Sequence, residues 1–272
     1  LKQAGLFPEK IGWFPEKITN DIDAIILGMH ARIDNPELKK AQEIGLPIYS
    51  YPEYIYEQSK EKKRVVIGGS HGKTSITAMI LHVLQYHQID CDFMVGAQLE
   101  GFTTMVKLTR EAPIIILEGD EYLSSPIDRK PKFHWYKPHL AVLSGIAWDH
   151  INVFPTFEKY VEQFRIFRDD VSECLIYCEE DENLKLLAKE DASCRLIGYK
   201  THAHRIDDGV TYLKGTNEEI PLSIFGDHNL QNLNASRLVC EELGVSEDMY
   251  LEAIQSFTGA SKRLELVKES DN

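Results

Sequence analysis

The 272-residue chain is short of positive charge: 30 Lys and Arg stand against 43 Asp and Glu, a formal net charge of −13. Affinity for a phosphate backbone rests on clustered Lys and Arg, so nucleic acid is not an expected partner, although a local basic site for a small anion is compatible with the balance. No apolar run approaches the roughly 20 residues that cross a bilayer, so no membrane partner is expected either. None of the five cysteines (Cys91, Cys174, Cys178, Cys194 and Cys240) forms a CxxC pair. Their odd number and scatter suit reduced, buried thiols in a cytoplasmic protein, not a disulfide framework or a metal knuckle. The chain opens on Leu1 without Met and without a signal peptide, which leads us to expect further chain upstream.

What is present is an ordinary globular composition, 43% hydrophobic and 27% charged, at a length that suits one large and one small domain. Apolar strands alternate with helices. Ala24–Leu27 reads as a buried strand. Asn35 and Pro36 cap and start a helix that Gly45 ends, and Pro47–Tyr49 is the next strand. After the charged stretch Lys60–Arg64, Val65–Ile67 begins a second unit. Its further strands are expected at Ile114–Leu117, Leu140–Leu143, Cys174–Tyr177 and Leu196–Ile197. Thr74 to about Gln85 is expected as an amphipathic helix. Thr156–Phe167 is another, with Phe157, Tyr160, Phe164 and Phe167 on one face. Residues 210–225 alternate like a hairpin, and Asn229–Leu243 and Ser246–Ser256 read as helices. The pattern predicts an α/β fold: a mostly parallel sheet covered by helices on both faces. The pentapeptide Phe-Pro-Glu-Lys-Ile occurs twice, at Phe7–Ile11 and Phe14–Ile18, too short a repeat to define an architecture.

The strongest motif is Val65-Val66-Ile67-Gly68-Gly69-Ser70-His71-Gly72-Lys73-Thr74-Ser75. A strand enters a Gly-rich turn and a helix leaves it, so freed N–H groups and the helix N-terminus face an anion. Lys73 would neutralise β- and γ-phosphate oxygens and the Thr74 hydroxyl would hold Mg²⁺. The spacing is shorter than the general P-loop, with Ile67 where the first Gly usually stands. A plain Gly-rich helix cap is the alternative, and the Lys-Thr-Ser that follows argues against it.

Ile114–Leu117 runs into Glu118-Gly119-Asp120-Glu121. A carboxylate at the C-terminal end of a core strand faces the ligand crevice of an α/β sheet, and Glu118 is placed to coordinate Mg²⁺. Leu140–Leu143 leads likewise to Asp149-His150, for which a structural role and a metal or substrate role stand level. Phe225-Gly226-Asp227-His228-Asn229, with Asn232, either caps a helix or meets an adenine edge. His202 and His204 read as solvated loop residues and not as metal ligands.

Taken in order, these residues resemble the Mur ligase family. The resemblance implies that Gly69, Ser70, His71, Gly72, Lys73, Thr74 and Ser75 form the ATP loop and that Glu118 binds Mg. It implies that His150 serves a second metal, that His228, Asn229 and Asn232 contact adenine, and that Arg263 in Lys262-Arg263-Leu264-Glu265 reaches the nucleotide phosphates. Lys73, Glu118 and His150 become the expected catalytic residues. Residues 1–62 become part of a UDP-sugar-binding domain of Rossmann-like type, 63–260 a P-loop-type central ATP domain, and 261–272 a linker to a C-terminal domain that the chain lacks.

Within the family, Gly119–Tyr122, Asp128–Phe133 with Tyr136, and Asp149–Pro155 look like the branch that joins a recycled murein tripeptide to UDP-N-acetylmuramate. The branch that adds single L-alanine is the alternative. Gly119 replaces an Ala common to both, a change expected to be harmless. The reaction so implied passes through an acyl phosphate, and the chain alone is expected to bind ATP yet ligate poorly. A folylpolyglutamate-type ligase, a small-molecule kinase and a nucleotide-binding module without ligase activity are the rivals.

Overall fold

A computed structural model describes residues 11–149, 153–215 and 219–260. The elements run β1 (Ile25–Leu27), α1 (Pro36–Glu43), β2 (Ile48–Ser50), α2 (Tyr51–Ser59), β3 (Lys63–Gly68), α3 (Lys73–Tyr86), β4 (Asp92–Met94), β5 (Val106–Lys107), β6 (Ile114–Glu118) and α4 (Lys132–Trp135). They continue with β7 (Leu140–Leu143), α5 (Phe157–Asp169), β8 (Cys174–Cys178), α6 (Glu182–Leu187), β9 (Arg195–Tyr199), β10 (His204–Asp207), β11 (Val210–Lys214), β12 (Glu219–Leu222), α7 (Asp227–Glu242) and α8 (Glu247–Ile254).

The core is a seven-stranded sheet in the order β5-β4-β6-β3-β7-β8-β9. All its pairings are parallel except β4 with the edge strand β5. Its central strands read as unbroken apolar runs because both faces are covered: Val65, Val66 and Ile67 of β3 and Ala141, Val142 and Leu143 of β7 have no exposed surface. Right-handed crossovers put the connection from β3 to β4 on one face and those running from β6 through β7 to β9 on the other. α3 accordingly packs with α7 and α8, while α4 meets α5 on the other side through Phe133, Phe164 and Phe167. The chain leaves β3 in one direction along the sheet and later returns past it in the other. The crevice at that reversal, beyond the carboxyl ends of β3, β6 and β7, is where α/β sheets take ligands.

Several sequence expectations are amended. α3 is not an amphipathic surface helix: Ile76 to Leu81, Val83 and Leu84 are buried all round it, because α7 and α8 cover the side that the sheet leaves open. β1 is only half buried, with Ile26 51% exposed, since it pairs with β2 alone in a two-stranded parallel sheet. α2 was not read from the sequence. It starts at Ser50 with a capping box to Glu53 and buries Pro52 and Ile55. The single hairpin expected over 210–225 is a three-stranded antiparallel sheet that begins at His204. Its first turn is Asp208-Gly209, both residues with positive φ, the two-residue hairpin geometry. His204 therefore lies on a strand. His202 is half-buried, and burial lowers its pKa, so neither is the freely solvated loop residue expected. Of the twin pentapeptides, the second forms a 3₁₀ turn at Pro15–Lys17, and its Phe14 N–H donates to Glu37 of α1 at 2.7 Å.

Candidate phosphate-loop site and its comparisons

β3 ends at Gly68 on the carboxyl edge of the sheet, and Gly69–Gly72 carry the chain into α3. The loop lies tight against the end of β7. Ser70 N–H donates to Gly145 O at 2.9 Å, and the Ser144 hydroxyl reaches Gly68 O at 3.3 Å and also the His71 carbonyl. Two glycines are demanded by this path. Gly69 has φ +123°, and a Cβ there would lie 2.2 Å from Ser144 Oγ; Gly72 has φ +76°, and a Cβ would lie 2.4 Å from Asn232 Oδ1. Both the left-handed backbone and the close approach exclude a larger side chain. The second contact also shows that Asn232, buried on α7, seats directly against the loop.

An acidic cluster closes on the loop from β6. Thr74 Oγ1 donates to Glu118 Oε1 at 2.8 Å, and the other Glu118 oxygen accepts Gly96 N–H at 2.9 Å. The Lys73 ammonium donates to Gly69 O at 2.7 Å and to Glu121 Oε2 at 2.9 Å, with Asp120 Oδ1 3.9 Å away. Asp120 is also held by Lys132 at 3.0 Å. That lysine is 3% exposed and sits 3.8 Å from the Tyr122 ring centroid and 5.0 Å from that of Tyr51. Burial, partly countered by Asp120, pulls the Lys132 pKa down; burial and the Asp120 charge push the Tyr122 phenol up. The structure thus brings Lys73, Thr74 and Glu118 together as expected. It adds Asp120, Glu121, Lys132 and Tyr160, which the sequence reading did not place in the site. The signal for the acids was available: three carboxylates in four residues directly after an apolar strand. Nothing local marks Lys132 or Tyr160.

The histidine and asparagine candidates divide. His71 and His228 approach with ring centroids 6.4 Å apart. Burial first, and the neighbouring His228 second, lower the His71 pKa, with Asp181 opposing. Asn229, however, turns its amide onto Phe225 O at 2.8 Å, a helix-start contact and not a loop contact. Ser75 follows Thr74 on the first turn of α3 and is partly buried. Asp149 is exposed in the loop between β7 and α5. His150 and Arg263, with Lys262, lie outside the described residues.

A cleft of about 590 Å³ adjoins the acidic cluster through Tyr122 and is lined also by His30, Ser125, Arg129 and Val153. Asp128 fixes its rim, accepting Ser50 Oγ at 3.0 Å and Trp135 Nε1 at 2.7 Å. The loop after β6 is thereby tied to the start of α2.

A strand-turn-helix bearing Gly72-Lys73-Thr74, with a carboxylate at the end of the neighbouring strand β6, defines the P-loop class of parallel α/β folds. Comparison with known families is more specific: residues 67–240 match the Mur ligase middle domain, and the chain belongs to the Mur ligase family. A UDP-N-acetylmuramate–L-alanine ligase of Carboxydothermus hydrogenoformans is 24% identical over 273 residues, covering 95% of this chain and 57% of the relative. The chain therefore spans a little over half the length of that curated relative. Two solved structures share the fold. The UDP-N-acetylmuramate:L-alanyl-γ-D-glutamyl-meso-diaminopimelate ligase of Neisseria meningitides has TM-score 0.77 and 23% identity, covering 86% of this chain and 78% of that one. A murein peptide ligase of Psychrobacter arcticus has TM-score 0.80 and 20% identity, covering 98% and 62%.

Proposed function

We propose that the chain is the ATP-binding core of an amide-forming ligase that activates the lactyl carboxylate of UDP-N-acetylmuramate and couples it to the amine of a murein tripeptide. The observation that carries this reading is the convergence on the turn between β3 and α3 of Lys73 and Thr74, at the start of α3, and Glu118, at the end of β6. Thr74 and Glu118 offer two hard oxygen donors 2.8 Å apart, a set suited to Mg²⁺; that ion, with a second one served by His150, would supply charge neutralisation at the transferred phosphoryl. Lys73 would neutralise β- and γ-phosphate oxygens. Gly69 and Gly72 would let the backbone approach them, with Arg263 added from the chain beyond. His71, Asn232 and His228 would border the rest of the nucleotide, Asn229 holding the start of α7 beside them. The cleft with His30 and Arg129 would take the anionic muramyl substrate, so that its carboxylate faces the γ-phosphate across Asp120 and Glu121. Catalysis is then positioning and electrostatic stabilisation: a carboxylate oxygen attacks the γ-phosphorus and ADP leaves, giving an acyl phosphate, and the amine then attacks the acyl carbon, gives up a proton, and phosphate leaves. Residues 1–62 belong in this reading to the UDP-sugar side and 63–260 to the ATP side.

The Asp128–Lys132 segment and Tyr136 support the tripeptide as amine. The curated relative's name supports L-alanine as the second reading. With full-length protein, ATP consumption requiring UDP-N-acetylmuramate and tripeptide confirms the first, and consumption with L-alanine but not tripeptide confirms the second. ATP binding with no turnover on either leaves a nucleotide-binding module and ends the ligase proposal.

A further inference from the structure

We infer that Tyr160 is a positioning residue of this site: its phenol orders a one-way hydrogen-bond chain that fixes Glu121 and, through Glu121, the Lys73 ammonium. The inference rests on the ligase reading above. In the sequence Tyr160 is one of four aromatics on a helix face, and its ring does pack with Phe154 and Phe164 at 5.5 and 5.1 Å between centroids. A phenylalanine would fill that space equally well, so the hydroxyl is surplus to packing. Its oxygen lies 2.8 Å from Ser70 Oγ and 3.3 Å from Glu121 Oε1, on a residue with no exposed surface.

The direction of the chain follows from counting protons. A carboxylate only accepts, and a phenol has one proton to give. That proton goes to Glu121, so the Ser70 hydroxyl must give its own to Tyr160. Ser70 Oγ in turn accepts Ala147 N–H at 2.9 Å. The chain runs from Ala147 through Ser70 and Tyr160 to Glu121, and successive hydrogen bonds of this kind strengthen one another. On its far oxygen Glu121 accepts Lys73 at 2.9 Å. An ammonium has three donors: Lys73 commits one to Gly69 O and one to Glu121, and keeps the third for an anion in the loop. Ser70 has nothing left for a phosphate, because its N–H goes to Gly145 O and its O–H to Tyr160. Its role shifts from nucleotide ligand to anchor of the loop.

The test is steady-state kinetics of ATP turnover in the full-length enzyme with its muramyl and amine substrates. Tyr160→Phe keeps the ring and loses the proton. Because Lys73 aim matters most at the transferring phosphoryl, kcat should fall about tenfold while KM for ATP moves less than about threefold. Ser70→Ala, read alongside and decisive should Tyr160→Phe fail to fold, should lower kcat by a smaller factor with KM for ATP unchanged. A kcat for Tyr160→Phe within twofold of the parent overturns the inference. A Ser70→Ala enzyme with raised KM for ATP and parental kcat also overturns it, placing the hydroxyl on phosphate. So does a Ser70→Ala enzyme that is parental in both constants. A parent enzyme without ATP turnover removes the ligase reading and this inference together, whereas an active parent with a parental Tyr160→Phe removes the inference alone.

Discussion

Two lysine–carboxylate pairs lie on opposite edges of the same parallel sheet, with the same chemistry and different consequences. At the amino edge, Lys62 and Asp92 are 7% and 0% exposed and 3.0 Å apart. Asp92 also accepts the Thr109 N–H, at 3.0 and 2.9 Å to its two oxygens, and the Thr109 hydroxyl at 2.9 Å, while Lys62 donates to Ala112 O at 2.6 Å. That pair is closed and joins the starts of β3 and β4. At the carboxyl edge, Lys73 and Glu121 are 2.9 Å apart, beside the glycine-rich turn that carries the chain from β3 into α3. Burial of an ion pair by itself therefore does not tell a structural staple from a group that a ligand could engage. The edge of the sheet does, because the loops that leave the carboxyl ends of parallel strands splay into a crevice.

The strongest way to break this contrast is Lys73→Ala. Nucleotide-dependent turnover by the full-length enzyme should fall roughly a thousandfold, as expected for a lost charge-stabilising donor, with the melting temperature near that of the parent. Retained turnover would sink the assigned role. Removing one partner on the amino edge should do the reverse. Asp92→Ala leaves a buried ammonium, so denaturant unfolding should show a loss of about 3–5 kcal/mol, and any fraction that stays folded should keep its affinity for ATP. An Asp92→Ala protein with unaltered stability and weakened ATP binding would invert the comparison.

A smaller effect is expected from Gly119→Ala. The position was expected to be indifferent between Gly and Ala, yet a Cβ there would meet Val66 Cγ1 at 2.7 Å and Phe133 Cβ at 3.1 Å. Overpacking of this kind costs about 1–3 kcal/mol, and a melting curve matching the parent would show that β3 and β6 can separate freely. The gentlest test is pH. Burial lowers the pKa of His134 and His139 below the ordinary 6.5. As pH falls through that value the unfolded chain takes protons that the fold resists, so stability is complete above it and declines below it. Melting temperatures should drop between pH 7.5 and 5.5, and His134→Gln should flatten part of the slope.

Much of this was legible in the chain itself. The apolar runs of β3, β6, β7 and β8 could only be strands covered on both faces, and the glycines from Gly68 to Gly72 announced a tight strand-turn-helix leading into Lys73 and Thr74. Glu118's place beside that turn was anticipated because a carboxylate ending such a strand emerges at the carboxyl edge of the sheet. The burial of α3 was not legible, since what buries its outer side is α7 and α8, which begin only at Asp227 and Glu247 and come to lie on it in the folded chain. Nor was the sorting of Asn229 from Asn232, which are one helical turn apart but meet different neighbours.

Local sequence determined the strand-turn-helix, the backbone freedom of Gly69 and Gly72, and the kinds of side chain offered at the strand ends, because sterics and hydrophobic period act over a few residues. Only the tertiary structure decided which charges meet: Lys62 with Asp92, Lys73 with Glu121, and Tyr160 with both Ser70 and Glu121. Those pairings depend on the order in which strands are laid into the sheet, and that order places residues dozens of positions apart within a hydrogen bond of each other.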